Sequence, residues 1–192
     1  MKLIDLFENV EIDNVALAKK IKRDCEFYFS QVKNPNLHLY RGSESENMVH
    51  GAFRKFKART RPLDTPLKFH TDLNQYFKSM YGRPFRNGLF ATGSEEVAEQ
   101  YGNIFIIIPK GEFEWLSSPD IQDVAVHLDP ETYEDDDDPN APAEALETLK
   151  DAKWYESMKL EQCIESGNEI MLWCPKGYYV LDPNNLPKEI FG

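Results

Sequence analysis

Residues 88–108 read GLFATGSEEVAEQYGNIFIII. The apolar run that starts at Gly88 predicts a short strand, which breaks at Ser94. Ser94 can cap a helix, and the acidic residues that follow it favour a helix N-terminus. Residues 104–108 are apolar and mostly β-branched, and Pro109 follows them, which predicts a central strand buried on both faces. A strand, a helix and a second strand therefore follow one another along this segment.

Three other segments are predicted to be helical. Residues 13–31 predict an opening amphipathic helix, because apolar side chains recur there at helical spacing: Leu17, Ile21, Cys25 and Tyr28. A second helix begins near Pro66 and ends at Gly82, and its apolar face comprises Phe69, Leu73, Phe77 and Met80. Residues 143–163 are rich in Ala, Leu, Glu, Lys and Met, a composition that predicts a third helix.

Short apolar segments predict the remaining strands. One starts at Leu37 and ends at Arg41-Gly42, where a glycine lets the backbone approach a ligand, and residues 52–58 are a weaker candidate. Residues 169–174 and 178–181 are separated by Pro175-Lys176-Gly177, which predicts a β-hairpin. The order of helices and strands favours an α+β fold with segregated layers.

Length and composition favour one domain over residues 1–192, with a helical part at 1–36 and a core at 37–192. Residues 129–142 are acidic and proline-containing, which predicts a solvated loop, and the absence of glycine there argues against a calcium loop. The longest apolar stretch, residues 104–109, is too short to cross a membrane, and the N-terminal segment lacks the features of a secretory signal. We therefore expect a soluble, cytoplasmic protein without membrane association.

Cysteine and histidine usage predicts neither disulfides nor a metal site. The three cysteines form no CxxC pair, which is typical of buried free thiols in a reducing compartment. The four histidines are scattered and lack the spacing of zinc ligands.

Charge is distributed unevenly along this acidic chain, whose net charge is −11. Residues 54–86 contain nine basic residues and two acidic ones, a local charge of +7. Such a segment can attract a ligand that carries phosphate groups, or it can be an ordinary solvated face. Both interpretations remain open. If the stretch near Arg59 and Arg61 does bind phosphate, it can face either the pyrophosphate of a nucleotide or a phosphate-bearing target.

Three polar residues interrupt otherwise apolar elements: Arg41 after one strand, Thr92 at a strand-to-helix break and Glu169 at the start of a strand. Each alone has an ordinary explanation. Arginine and glutamate are usually exposed at such positions, and threonine is common in turns.

Taken in order, however, these segments resemble the motifs of the arginine–serine/threonine–glutamate class of ADP-ribosyltransferases, which includes bacterial toxins and bacteriophage enzymes. The first motif is similar to LYRG at residues 39–42. The second is similar to FATGS at residues 90–94, which runs into the helical segment EEVAEQYG, and the third to NEIM at residues 168–171, followed by Pro175 and Gly177. The resemblance extends over residues 37–182.

This resemblance implies an ADP-ribosyltransferase-like split β-sandwich with an N-terminal helix and flanking helices, and NAD as co-substrate without a metal. Arg41 would bind the phosphate side of NAD, which suits a guanidinium fork, and the backbone of Gly42 would contact the nicotinamide amide. Phe90 would line the nucleotide site. Glu169 would bond the ribose 2′-hydroxyl and stabilise an oxocarbenium ion, while Thr92 holds Glu169 and the ribose in register.

Two positions depart from the family pattern. Phe90-Ala91-Thr92 carries one hydroxyl where many members have Ser-Thr-Ser, and Gly167 stands where arginine-modifying members have Glu or Gln. Glu165 is the nearest alternative for that second carboxylate.

Three functions are therefore open. The chain is a mono-ADP-ribosyltransferase that modifies a protein or nucleic acid, a catalytically silent fold that binds a nucleotide or blocks a host factor, or an NAD glycohydrolase. A bacteriophage-encoded protein of this kind would act in the host cytoplasm, and its oligomeric state is open.

Overall fold

The computed structural model describes residues 14–44, 49–61, 65–124, 141–154 and 158–191. The helices are α1 Asn14–Asp24, α2 Glu26–Gln31, α3 Leu67–Tyr81, α4 Glu95–Glu99, α5 Ala141–Asp151, α6 Leu160–Ser166 and α7 Lys188–Phe191. The strands are β1 Tyr40–Ser43, β2 Phe53–Arg54, β3 Leu89–Thr92, β4 Asn103–Pro109, β5 Glu114–Ser117, β6 Glu169–Trp173 and β7 Tyr178–Leu181. Residues 129–140 of the predicted acidic loop lie outside the described residues. The last two residues of that prediction, 141 and 142, belong to the start of α5.

The described strands form one seven-stranded sheet in the order β2-β7-β4-β1-β3-β6-β5, and every strand pair is antiparallel. Together with the helices, this sheet confirms the predicted α+β class. Residues 88–108 fold as predicted into β3, α4 and β4, and the Val97 amide donates to Ser94 Oγ at 3.2 Å as a helix cap. Strand β4 is interior, and its isoleucines 106–108 are fully buried.

The shortest strand pairing in the sheet is the one between β1 and β3. These strands share a single register pair, Tyr40 opposite Thr92, whereas β1 with β4 and β3 with β6 each share four. Beyond that pair β1 and β3 separate. The sheet therefore consists of two halves, β2-β7-β4-β1 and β3-β6-β5, with an opening between them.

Helices cover both faces of the β3-β6-β5 half. Alternate residues of β6 point to opposite faces of the sheet. Ile170 and Leu172 belong to a core that contains residues of α1, α2 and α6, while Met171 belongs to a second core with residues of α3 and α5. Glu169 shares the face of Met171 by this alternation, and it is opposite Thr92 in the β3–β6 register.

The opening helix is interrupted at Cys25 instead of running unbroken from residue 13 to 31 as predicted. Its apolar face is confirmed, because all four predicted side chains are buried: Leu17, Ile21, Cys25 and Tyr28. The interruption coincides with Asp24, whose backbone carbonyl accepts a hydrogen bond from Gly111 at 2.9 Å. Its carboxylate accepts from Lys110 Nζ at 2.9 Å and from the Tyr179 hydroxyl at 2.7 Å, so Asp24 joins α1 to the sheet.

The predicted hairpin between residues 169 and 181 is wrong. Strand β6 pairs with β3 and β5, whereas β7 pairs with β4 and β2 in the other half of the sheet. A strand has only two hydrogen-bonding edges, and both edges of β6 are taken by other strands. The turn after Cys174 therefore carries the chain from one half of the sheet to the other.

Two helix predictions also need correction. The helix predicted for residues 143–163 is divided into α5 and α6, and Trp154 lies between them in the core, where its indole Nε1 donates to the Leu149 carbonyl at 2.6 Å. This bond satisfies a carbonyl near the end of α5. Helix α3 has the predicted limits and ends at Gly82 with φ of 76°, but Met80 is 60% exposed, so the buried face ends at Phe77.

The three cysteines are buried free thiols, as predicted. None of the described helices is long and apolar enough to span a membrane.

We predict that Asp24→Asn lowers the free energy of unfolding by about 1–3 kcal/mol, because it weakens charge-assisted hydrogen bonds to Lys110 and Tyr179. These bonds hold the pKa of Asp24 well below that of an ordinary aspartate. A depressed carboxyl pKa stabilises the fold above the unfolded-state pKa, and this contribution decreases as pH falls through the native pKa. Urea denaturation should show the difference between wild type and variant at pH 7 and a smaller difference below about pH 4.

The matched control is Asp72→Asn, which removes a carboxylate paired with the exposed Lys68. We expect almost no change there, since exposed ion pairs contribute little. Equal effects of the two substitutions would contradict the role assigned to Asp24.

Candidate active site

A cleft of about 540 Å³ lies where β1 and β3 separate. All five residues that the sequence analysis assigned to a nucleotide site line this one cleft: Arg41, Gly42, Phe90, Thr92 and Glu169. They come from β1, β3 and β6. The cleft has the size of a typical small-molecule site.

Arg41 joins the two halves of the sheet at the opening. Its Nη1 donates to the Phe90 carbonyl of β3 at 2.8 Å, which satisfies a backbone acceptor at the point where β1 has separated from β3. Burial lowers the pKa of the Arg41 guanidinium, but arginine stays charged in proteins at neutral pH. Arg41 also lines the cleft, so this guanidinium is placed where a ligand can meet it.

Glu169 forms a buried ion pair with Arg86. Arg86 Nη1 lies 2.8 Å from Oε1 and 3.1 Å from Oε2, and the side chains of Arg86 and Glu169 are only 7% and 12% exposed. Arg86 lies in the short 3₁₀ turn directly before β3. Sequence reasoning missed this pair because its members are 83 residues apart and no local pattern identifies which cation meets a given carboxylate.

The pKa of Glu169 is raised above that of an ordinary glutamate. Burial is the main cause and the nearby Asp123 also raises it, whereas Arg86 and a hydrogen bond from the Val124 backbone lower it. Burial disfavours the charged form, and the guanidinium favours it. Glu169 therefore sits in a low-dielectric environment where its charge interacts strongly with neighbouring groups.

Thr92 positions the turn that precedes Glu169. Its hydroxyl donates to the Gly167 carbonyl at 2.6 Å and accepts from the Ser94 amide at 3.1 Å, and the residue is only 6% exposed. Thr92 is also opposite Glu169 in the register of β3 and β6. Its one hydroxyl proton is thus used by the protein, and Thr92 acts by holding Glu169 in place.

Gly42 is required by the packing of α4 against β1. A Cβ atom at this position would lie 1.9 Å from the Ala98 carbonyl oxygen and 2.7 Å from Tyr101 Cβ, distances that real side chains do not reach. Gly42 thus allows the close approach of α4 to β1, in addition to contributing backbone to the cleft wall.

Two of the nine cations between residues 54 and 86 line the cleft, Arg59 and Arg86. Their guanidinium carbons lie 5.5 and 4.6 Å from the centre of the Phe90 ring. Six of the others, including Arg61, are exposed. Most of the basic segment is therefore a solvated face, while two of its arginines line the cleft, and attraction of a phosphate-bearing ligand stays a prediction.

His70 is a buried cleft residue that sequence reasoning also missed. Its Nε2 lies 2.9 Å from Asn87 Oδ1, which accepts from Asn74 Nδ2 at 2.9 Å. Burial lowers the pKa of His70, which favours the neutral imidazole.

A second carboxylate lies in the cleft, and it is not the one considered from the sequence. Glu165 is exposed and does not line the cleft, whereas Asp123 is 9% exposed and does. The Tyr101 hydroxyl donates to Asp123 Oδ2. Asp123 comes from the irregular segment after β5, where no sequence pattern marks a site.

Among the residues that the structure describes, no group of three or more His, Cys, Asp or Glu side chains is placed to hold a metal ion. Comparisons of the chain with protein-family models, curated proteins and solved structures gave no match. The function is therefore inferred from the site itself.

We predict that Thr92→Val lowers the free energy of unfolding by about 1–3 kcal/mol, because the Gly167 carbonyl loses its donor and the Ser94 amide loses its acceptor. Thr92→Ser is the matched control, since it keeps the hydroxyl and should lose less stability. Urea denaturation of both variants would test this. Similar losses for serine and valine would assign the effect to packing of the methyl group instead.

We also predict that Arg86→Gln raises the pKa of Glu169 further, because the opposing charge and its hydrogen bonds are removed. Arg86→Lys, which retains a positive charge, should raise it less. Carbon-13 NMR titration of the Glu169 side-chain carboxyl measures this directly, with Glu165 as an exposed internal reference. An unchanged Glu169 titration in Arg86→Gln would contradict the role of the ion pair.

Proposed function

We propose that this chain is an NAD-dependent mono-ADP-ribosyltransferase that transfers ADP-ribose to a protein or nucleic-acid acceptor and releases nicotinamide. The observation that carries the proposal is the convergence of Arg41, Thr92 and Glu169 from three separate strands on one cleft. These residues are the ones on which the motif resemblance depends. If the protein is encoded by a bacteriophage, the acceptor belongs to the host cytoplasm.

The arrangement of the strands around the cleft supports the same proposal. We interpret the division of the sheet at the β1–β3 junction as a split β-sandwich of the ADP-ribosyltransferase type, with α1 and α2 as its N-terminal helices. In this interpretation the nucleotide lies in the opening between the two halves.

Cations in the cleft suit the diphosphate of NAD. Arg41 offers a guanidinium fork that can bind phosphate oxygens through two parallel hydrogen bonds. Arg59 and Arg86 add positive charge near Phe90. Arg86 Nε is also a buried donor without a partner in the described structure, so a ligand oxygen in the cleft can satisfy it.

Glu169 is suited to the transfer step. When nicotinamide leaves, positive charge develops on the ribose, and a carboxylate held in a low-dielectric site stabilises that charge without reorganising. A carboxylate has about four acceptor positions, and the two bonds from Arg86 Nη1 leave room for the ribose 2′-hydroxyl as a further donor. Thr92 fixes the strand from which this carboxylate projects.

The Arg86–Glu169 ion pair favours a second candidate, a catalytically silent protein that binds a nucleotide. A carboxylate whose charge is already matched by a guanidinium at 2.8 Å stabilises a developing cation less. Such a protein would bind NAD without releasing nicotinamide. An NAD glycohydrolase, in contrast, would release nicotinamide and transfer ADP-ribose only to water.

We predict that wild-type protein incubated with NAD labelled on the adenylate and with cell extract releases nicotinamide and labels a macromolecule. Glu169→Gln should lower both rates about 100-fold or more while NAD affinity changes little, since its main effect is on the transition state. Arg41→Lys should mainly weaken NAD binding, because lysine cannot reproduce the guanidinium fork. Nicotinamide release, acceptor labelling and calorimetric NAD binding are measured together.

The matched controls are Glu165→Gln and Arg61→Lys, which change an exposed carboxylate and an exposed cation outside the cleft. Neither should alter activity. NAD binding without nicotinamide release would overturn the transferase in favour of the silent protein. Nicotinamide release without labelled acceptor would favour the glycohydrolase.

A further inference from the structure

We propose that Asp123 is the general base that activates the acceptor, and that the acceptor is a group that must lose an O–H or N–H proton when it attacks the ribose carbon. This inference rests on the proposed function. It assigns a role to a carboxylate that belongs to none of the motifs on which that function is based.

The backbone next to Asp123 is bonded to the start of β6. The Glu169 amide donates to the Gln122 carbonyl at 2.7 Å, and the Val124 backbone on the other side of Asp123 is close enough to the Glu169 carboxylate to lower its pKa. The charge of Asp123 is in turn close enough to raise the pKa of Glu169. Two carboxylates thus share one end of the cleft.

Hydrogen bonds also connect the chain just before Asp123 to the start of β6. Asn168 Nδ2 donates to the carbonyls of Ser118 and Pro119 at 2.9 and 3.2 Å, and Ser117 Oγ donates to the Glu169 carbonyl at 3.0 Å. These bonds hold the segment after β5 against the strand that carries Glu169. A base must be held at a defined distance from the reacting atom, and this segment provides that support.

Tyr101 orients the Asp123 carboxylate from the opposite wall. Its hydroxyl donates to Oδ2, and Tyr101 belongs to the turn between α4 and β4, next to Gly42. Tyr101 is 44% exposed, whereas Asp123 is 9% exposed. The carboxylate of Asp123 is therefore held in the cleft by a tyrosine that is itself partly open to solvent.

Glu169 and Asp123 have different roles in the transfer step. The bond between the ribose carbon and the nicotinamide nitrogen breaks, and its electron pair stays with neutral nicotinamide. The acceptor oxygen or nitrogen supplies an electron pair to that carbon, and its proton moves to the Asp123 carboxylate. Glu169 stabilises the cation throughout and takes no proton. An acceptor that already lacks the proton has no need of Asp123.

Competition between water and azide tests this assignment. Water must lose a proton when it attacks the ribose carbon, whereas azide does not. Purified protein is incubated with NAD and a fixed concentration of sodium azide, and mass spectrometry measures the ratio of azido adduct to ADP-ribose. This ratio depends neither on the fraction of folded protein nor on which step limits the rate.

We predict that Asp123→Asn raises the azide-to-water product ratio by about tenfold or more, since a general base contributes 10²- to 10⁴-fold to a proton-transfer step. Tyr101→Phe should raise the ratio less, because the base remains but loses its orienting bond. An unchanged ratio in Asp123→Asn would overturn the proposal.

Removing a negative charge could by itself admit more azide, and Glu44→Gln controls for this effect. Glu44 is an exposed carboxylate that lines the same cleft. An equal rise of the ratio in Glu44→Gln would assign the effect to repulsion and overturn the role of Asp123. A wild-type protein that releases no nicotinamide in water, in azide or in cell extract would instead refute the proposed function, a result distinguishable from an unchanged ratio.

Discussion

The separation of β1 from β3 after one residue pair is the constraint on which the candidate site depends. Two strands that part leave backbone carbonyls and amides without ladder partners, and such groups are costly when they are buried. Here the guanidinium of Arg41 bonds the Phe90 carbonyl across the gap at 2.8 Å. One side chain that lines the cleft therefore compensates for a missing ladder hydrogen bond. The cleft exists because the sheet is left open there.

Around this opening the protein concentrates charges that the interior would otherwise exclude. Arg86 and Glu169 are both nearly buried, and Asp123 lies on the same side of the cleft. Each buried charge is stabilised by an opposite charge or by hydrogen bonds. Positive groups cluster around Phe90 of β3, and carboxylates lie at the start of β6 and in the segment before it. The two groups meet where Arg86 pairs with Glu169 at 2.8 Å, so the cleft presents charges of both signs side by side.

Positioning in this site relies on backbone contacts more than on contacts between functional side chains. Thr92 bonds the Gly167 carbonyl, and the Glu169 amide bonds the Gln122 carbonyl. Three chain segments, the end of β3, the turn before β6 and the segment after β5, are thereby fixed relative to one another. The packing of α4 against Gly42 adds a fourth segment. Small displacements of any of them would move a carboxylate of the site.

The sequence by itself determined the elements whose signals are local. Periodicity and capping identified β3, α4 and β4 in residues 88–108, the limits of α3 and the buried face of the opening helix, because burial of one face imposes a spacing on neighbouring residues. Order along the chain and motif resemblance identified Arg41, Thr92 and Glu169, which line one cleft. Only the tertiary structure decided which strands pair, so that β6 and β7 belong to different halves of the sheet, and which charges meet, such as Arg86 with Glu169. Those contacts join residues far apart in the chain, and they depend on which edges and side chains the rest of the fold leaves available.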